Sequence, residues 1–162
     1  MKKSVLVSVA VVAALSITIG VVVKVVARTD ERKFLRYAKK GKLKKVQKYL
    51  AKLIEKKITV NYQNRKGKTA LMKAADEGKL VVVRYLVKED AKLDIQDKKG
   101  DTALHKAAEE GHLNVVKFLV EKGANTKIKN KKGRTPLDEA KDDENEDVVR
   151  YLLVKRAPVP KK

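Results

Sequence analysis

The chain repeats itself. NRKGKTALMKAADEGKLVVVRYLVKEDAKLDIQ, residues 64–96, is followed by DKKGDTALHKAAEEGHLNVVKFLVEKGANTKIK, residues 97–129, and then by NKKGRTPLDEAKDDENEDVVRYLL from Asn130. A period of 33 residues constrains the fold more than any other feature of the 162-residue sequence. A unit this short cannot bury its own apolar face, so it is stable only when neighbouring units stack into one continuous core.

The physics of one unit is legible in residues 97–129. Thr102-Ala103-Leu104-His105-Lys106-Ala107-Ala108 has small residues where helices approach closely, and Val115, Val116, Leu119 and Val120 follow at helical apolar spacing. Two short antiparallel helices are expected. Gly111 between them and Gly123 after them supply the left-handed residues that end each helix. Asp97-Lys98-Lys99-Gly100 reads as a turn.

These residues, Thr102-Ala103-Leu104-His105 through Gly111-His112, Val115-Val116 and Gly123-Ala124, resemble the ankyrin repeat. Residues 97–129 carry nearly the whole pattern and residues 64–96 most of it. Residues 130–155 open with Thr135-Pro136-Leu137 and then depart, with Glu144-Asn145 where the pattern has Gly-His, as terminal caps do. A degenerate first repeat, residues 28–63, aligns Phe34 with Leu71, Ala38 with Ala75 and Gly41 with Gly78, at a spacing of 37 rather than 33. Its second helix is expected to run on through AKLIEKK, and Thr29 is a candidate cap for its first. The expected architecture is an all-α ankyrin-repeat solenoid of three to four repeats, preceded by a transmembrane helix and followed by a tail, 156–162.

Little in this sequence does chemistry. There is no Cys, which removes disulfides, thiolate metal sites and thiol nucleophiles. Every Ser lies in the apolar segment before Gly20, so no Ser-His-Asp arrangement is available. The only two histidines, His105 and His112, occupy the histidine positions of the repeat pattern, where the resemblance implies imidazoles that hydrogen-bond backbone and fix turns. Two histidines fall short of the three or four ligands a zinc site needs. The reading is therefore of a non-enzyme without cofactor or metal.

Residues 1–27 read as a membrane segment. After Met1-Lys2-Lys3, Ser4 to Val23 carries no charge, and as a helix it would span about 30 Å of hydrocarbon. Its length favours an uncleaved anchor over a secretory signal, whose apolar core is usually about 7–15 residues. Ser16 and Gly20 form a small-xxx-small pair suited to close helix approach. More Lys and Arg follow the span than precede it, which keeps the carboxyl side in the cytosol or a matrix. The alternative is an exported or periplasmic module after signal cleavage.

Charge supplies the remaining clues. The chain carries +20, and residues 28–58 hold thirteen Lys or Arg against Asp30, Glu31 and Glu55. Lys24, Arg28, Arg32, Lys33 and Arg36 are therefore candidates for contact with anionic lipid headgroups. In the ankyrin fold partners are held by hairpin tips and by the exposed end of the first helix. Carried over here, the tips are Arg65, Lys66 and Lys68; Lys98, Lys99 and Asp101; and Lys131, Lys132 and Arg134. The helix ends are Asp76 and Glu77, Glu109 and Glu110, and Asp142 and Asp143, a set of basic fingers over an acidic palm. Acids at a helix carboxyl end oppose its dipole, so the palm either faces a basic partner segment or pairs with neighbouring tips. The expected partners are another protein and, through residues 4–23, the bilayer. Nucleic acid is disfavoured because aromatic stacking platforms are scarce.

Overall fold

The computed structural model describes residues 29–156, which form four helix pairs and no strand among those residues. The pairs are α1 (29–39) with α2 (Leu43–Glu55), α3 (Ala70–Asp76) with α4 (Leu80–Lys88), α5 (Ala103–Glu109) with α6 (Leu113–Glu121), and α7 (Pro136–Asp142) with α8 (Glu146–Arg156). The segment expected to span a membrane lies outside the described residues. Within them, no helix is long and apolar enough to cross one.

The first helix of each later pair starts at a threonine. Thr69, Thr102 and Thr135 are extended, and each hydroxyl accepts the backbone N–H three residues on, from Met72, His105 and Asp138. The side chain at that third position reaches back to the threonine's own N–H, closing a reciprocal capping box. Pro136 sits in the first turn of α7, where a missing N–H leaves no bond unmade. In the first pair, Thr29 is helical and is the first residue described, so the start of α1 and its cap lie outside the described residues. Asp30 accepts a 2.7 Å bond from Lys56, closing the ends of α1 and α2 together.

The spacing of 37 in the first repeat has a simple cause. α2 has 13 residues where α4 and α6 have 9, an insertion of about one helical turn. It ends at Glu55, and Lys57 adopts φ 58° just beyond, so the last residues of AKLIEKK turn rather than continue the helix.

All pairs share one core. Phe34, Leu71 and Leu104 are each 2% exposed or less, and Leu137 is 4% exposed, so one first-helix position points inward through all four units. Val83, Val116, Leu86, Leu119 and Leu152 do the same for the second helices. Burial of each such Leu contributes about 1.5–3 kcal/mol. Ala74, Ala75, Ala107, Ala108 and Ala140 are fully enclosed between first helices, and these small residues let α3, α5 and α7 approach more closely than α4, α6 and α8 do. The unequal spacing bends the stack, with the first helices and the hairpins on its inner side.

The hairpins are built from side chains as much as from backbone. Asn64, Asp97 and Asn130 each use one Oδ1 to accept two backbone N–H groups across their own turn. Adjacent turns are joined by Lys98 N–H to Lys66 carbonyl at 3.1 Å and by Lys131 N–H to Lys99 carbonyl at 2.9 Å. Gln63 and Gln96 donate both within their own hairpin and to the backbone of the next repeat.

Candidate functional site

The two histidines are joints of the scaffold. His105 is fully buried, its Nδ1 accepting from the Thr102 N–H and lying 2.9 Å from the Thr102 hydroxyl, while Nε2 donates to the Arg134 carbonyl at 3.1 Å in the next hairpin. Burial holds its pKa below the ordinary imidazole value, so the neutral ring fits this network. His112 lies 3.2 Å from the Asp76 carbonyl of the preceding repeat through Nε2. Among the described residues no group of three or more His, Asp or Glu is placed to hold a metal ion.

His112 rests where its predecessor has no side chain. Gly78 has φ 63°, and a Cβ there would lie 2.7 Å from Nδ1 of His112. Asn145 repeats the arrangement against Gly111, donating to the Ala108 and Glu109 carbonyls at 3.0 and 2.7 Å. The substitution of Asn for the pattern's His therefore keeps the joint, because either side chain caps free carbonyls at the end of the helix below.

The inner face divides into fingers and palm. Arg65, Lys66, Lys98, Lys99, Lys131 and Lys132 are exposed on the fingers; Lys68 and Arg134 are half-buried. On the palm Glu110, Asp142 and Asp143 are exposed, and Asp76, Glu77 and Glu109 are half-buried. Several palm acids already have partners. Glu77 meets Lys39 of the first repeat at 2.9 Å, Glu109 pairs with Lys106, and Asp142 pairs with Arg134 of its own finger.

Asp101 is not a tip residue available to a partner. It is 5% exposed, accepts a 2.8 Å bond from Asn130, and stands 2.9 Å from the Lys106 ammonium. Burial works against both charges, but their hydrogen bonds outweigh it: those to Glu109 and Asp101 push Lys106 above its ordinary range, and those from Lys106 and Asn130 hold Asp101 below its own. Asn130 also donates to buried Glu139, which pairs with Arg134. This buried polar network joins the third and fourth repeats. Its sequence signal is an acid in the finger position that carries Lys68 and Arg134 in the neighbouring units.

The palm is also not uniformly acidic. The first repeat places Lys39 and Lys40 where the following ones have Asp76-Glu77, Glu109-Glu110 and Asp142-Asp143, so charge reverses along the stack. The residues expected at a membrane surface separate: Arg32 and Arg36 line the inner groove, Lys33 lies over Tyr49 of α2, and Lys24 and Arg28 fall outside the described residues.

Paired helices stacked at a fixed period, with a finger projecting from each joint, define a helical-repeat protein of the interaction-module class. A family model described as ankyrin repeats in three copies matches residues 12–97, 34–130 and 89–161. The chain belongs to the ankyrin repeat family, whose repeats serve as protein–protein interaction modules. Among curated proteins the chain has no match.

Proposed function

We propose that this protein is a membrane-tethered ankyrin module that captures another protein along its inner face, as a scaffold or small accessory subunit of a membrane complex. The observation that carries the reading is the repeated row of exposed finger and palm charges, set on buried joints that hold their geometry. Those charges line one rigid face at regular intervals, which suits recognition of an extended surface and calls for no reacting group. The uncharged run Ser4–Val23 supplies the tether, and the Lys and Arg after it keep the repeats on the cytosolic or matrix side.

Photocrosslinking in living cells tests capture. A photoreactive amino acid at Lys99 or Glu110, on the inner face, is expected to trap one protein species, and the same group at Lys48 or Lys117, exposed on second helices, is not. Equal trapping from both faces, or none from the inner one, overturns the proposal. The tether is tested separately with Lys131→Cys and a membrane-impermeant maleimide. Labelling only after lysis, at full mass, supports the anchored topology. Labelling of intact cells, or a chain shortened by about 2–3 kDa, replaces it with an exported module.

A further inference from the structure

The first two repeats form an open, basic pocket. It has a volume of about 740 Å³ and lies between α1, the first hairpin and α3. Arg32, Arg36, Lys39, Arg65, Lys66 and Lys73 line it, against the single acid Glu31.

Lys73 forms part of its wall. The side chain is half-buried and makes no ion pair among the described residues, whereas its counterparts are paired: Lys106 with Asp101 and Glu109, and Glu139 with Arg134, with a hydrogen bond from Asn130. The cause is one change of sign. The finger position that carries Asp101 in the third repeat carries Lys68 in the second, so the ammonium loses its counterion and gains a like charge. Burial, together with Lys68, Lys39 and Lys66, lowers the Lys73 pKa, and Asp76 is the one acid that opposes them. A partly desolvated cation surrounded by cations is relieved by an anion brought from outside.

We infer that this pocket receives an acidic segment of the captured protein, so that the partner's bound stretch is graded in charge, acidic over the first two repeats and basic over the last two. The inference rests on the proposed capture along the inner face. Charge complementarity sets the gradient, since Glu110 and Asp143, exposed and outside the ion pairs described above, follow the pocket along the palm of the last two repeats. The same row disfavours nucleic acid. A continuous polyanion leaving the pocket along the palm meets those acids at each following repeat. A bilayer surface is disfavoured too, because Lys73 is set back behind exposed Arg65 and Lys66.

The test uses the purified full-length chain in a neutral detergent and fluorescence anisotropy of labelled synthetic peptides. One peptide carries four Glu, a Gly-Ser spacer and four Lys; a second replaces the Lys block by Ser. A dodecamer of thymidylate and vesicles containing phosphatidylserine are the competing probes. The graded peptide is expected to bind more tightly than the one with the Ser block. Lys73→Gln is expected to weaken it about tenfold, as loss of a desolvated charge pair does, while Lys48→Gln on the outer face changes it less than about twofold. Arg36→Gln, exposed on the pocket wall, provides a second variant whose fold does not depend on a half-buried position, and it is expected to weaken binding in the same direction. Equal effects of Lys73→Gln and Lys48→Gln overturn the inference, as does Lys73-dependent binding of the oligonucleotide or vesicles without the graded peptide. Inner-face crosslinks together with peptide binding indifferent to Lys73 overturn the pocket alone; absent crosslinks overturn the capture on which it rests.

Discussion

Lys106 holds its ammonium 2.9 Å from the Asp101 carboxylate, with both side chains 7% exposed, at the seam between the third and fourth repeats. A charge pair so enclosed is stable only while both members remain. Lys106→Met is therefore expected to destabilise the fold by about 3 kcal/mol, because it strands a buried carboxylate. Adding Asp101→Asn recovers at least half of that loss, since the amide keeps its bond with Asn130. Equilibrium urea unfolding of the two variants measures both steps, and a double mutant no better than the single one contradicts the pairing. The same carboxylate titrates below its ordinary value of 3.8, so its contribution is present above that pH and is lost as the pH falls through the lower folded value.

The neutral His105 gives stability a second pH dependence. Its folded pKa lies below the ordinary 6.5, chiefly through burial, so the unfolded chain binds the proton more readily. Asp101 and Glu139 pull toward the charged form and Lys106 pushes against it. The expected outcome is full stability above pH 6.5 and a decline as the pH is lowered from there toward the folded pKa. His105→Gln is expected to flatten the slope of unfolding free energy in that window, whatever its effect on the midpoint. A slope unchanged by the substitution places the titration elsewhere.

Gly78 and Gly133 separate two effects that usually act together. Both have positive φ, 63° and 77°, but a Cβ at Gly78 meets the His112 ring while one at Gly133 has nothing within 4 Å. Gly133→Ala is expected to cost about 1–2 kcal/mol from the left-handed backbone alone. Gly78→Ala adds an overpacking penalty of about 1–3 kcal/mol. Thermal unfolding that ranks the two variants equal contradicts the joint.

Asn145 offers the complementary test. Asn145→Ala removes both bonds to the end of α5 and is expected to cost about 1–2 kcal/mol. Asn145→His is expected to restore most of it, because Gly111 offers the same clearance that Gly78 gives to His112. Failure of the histidine to rescue shows that the joints are not equivalent.

The repeat period made the helix pairs and the shared Leu and Val core legible from residues alone. Each depends on local spacing, which a 33-residue periodicity reports directly. The role of the histidines was legible only through the likeness to the ankyrin repeat, whose pattern has a histidine at each of their positions. What spacing does not report is which polar residue turns inward. Asp101 reads as one more exposed tip in a basic series, and only the stacked neighbours, with Asn130 and Lys106 reaching it from two repeats, enclose it. The basic pocket at Lys73 was hidden likewise, since Lys68 and Lys73 are unremarkable as solvated lysines until the first helix closes over them.

Each interior repeat carries both halves of a fitting: a vacancy at the end of its first helix, and, immediately after that position, a side chain that fills the vacancy of the repeat before it, as His112 fills Gly78 and Asn145 fills Gly111. Such parts are interchangeable. A tandem duplication of one interior 33-residue unit delivers matching halves of this joint on both sides, so the glycine joints themselves set no limit on the number of repeats. At the far end Glu144 stands in the vacancy's place, in the same left-handed conformation at φ 56° but with a Cβ attached. A further repeat stacked on α8 in this register would meet that Cβ, and Glu144→Gly would remove it.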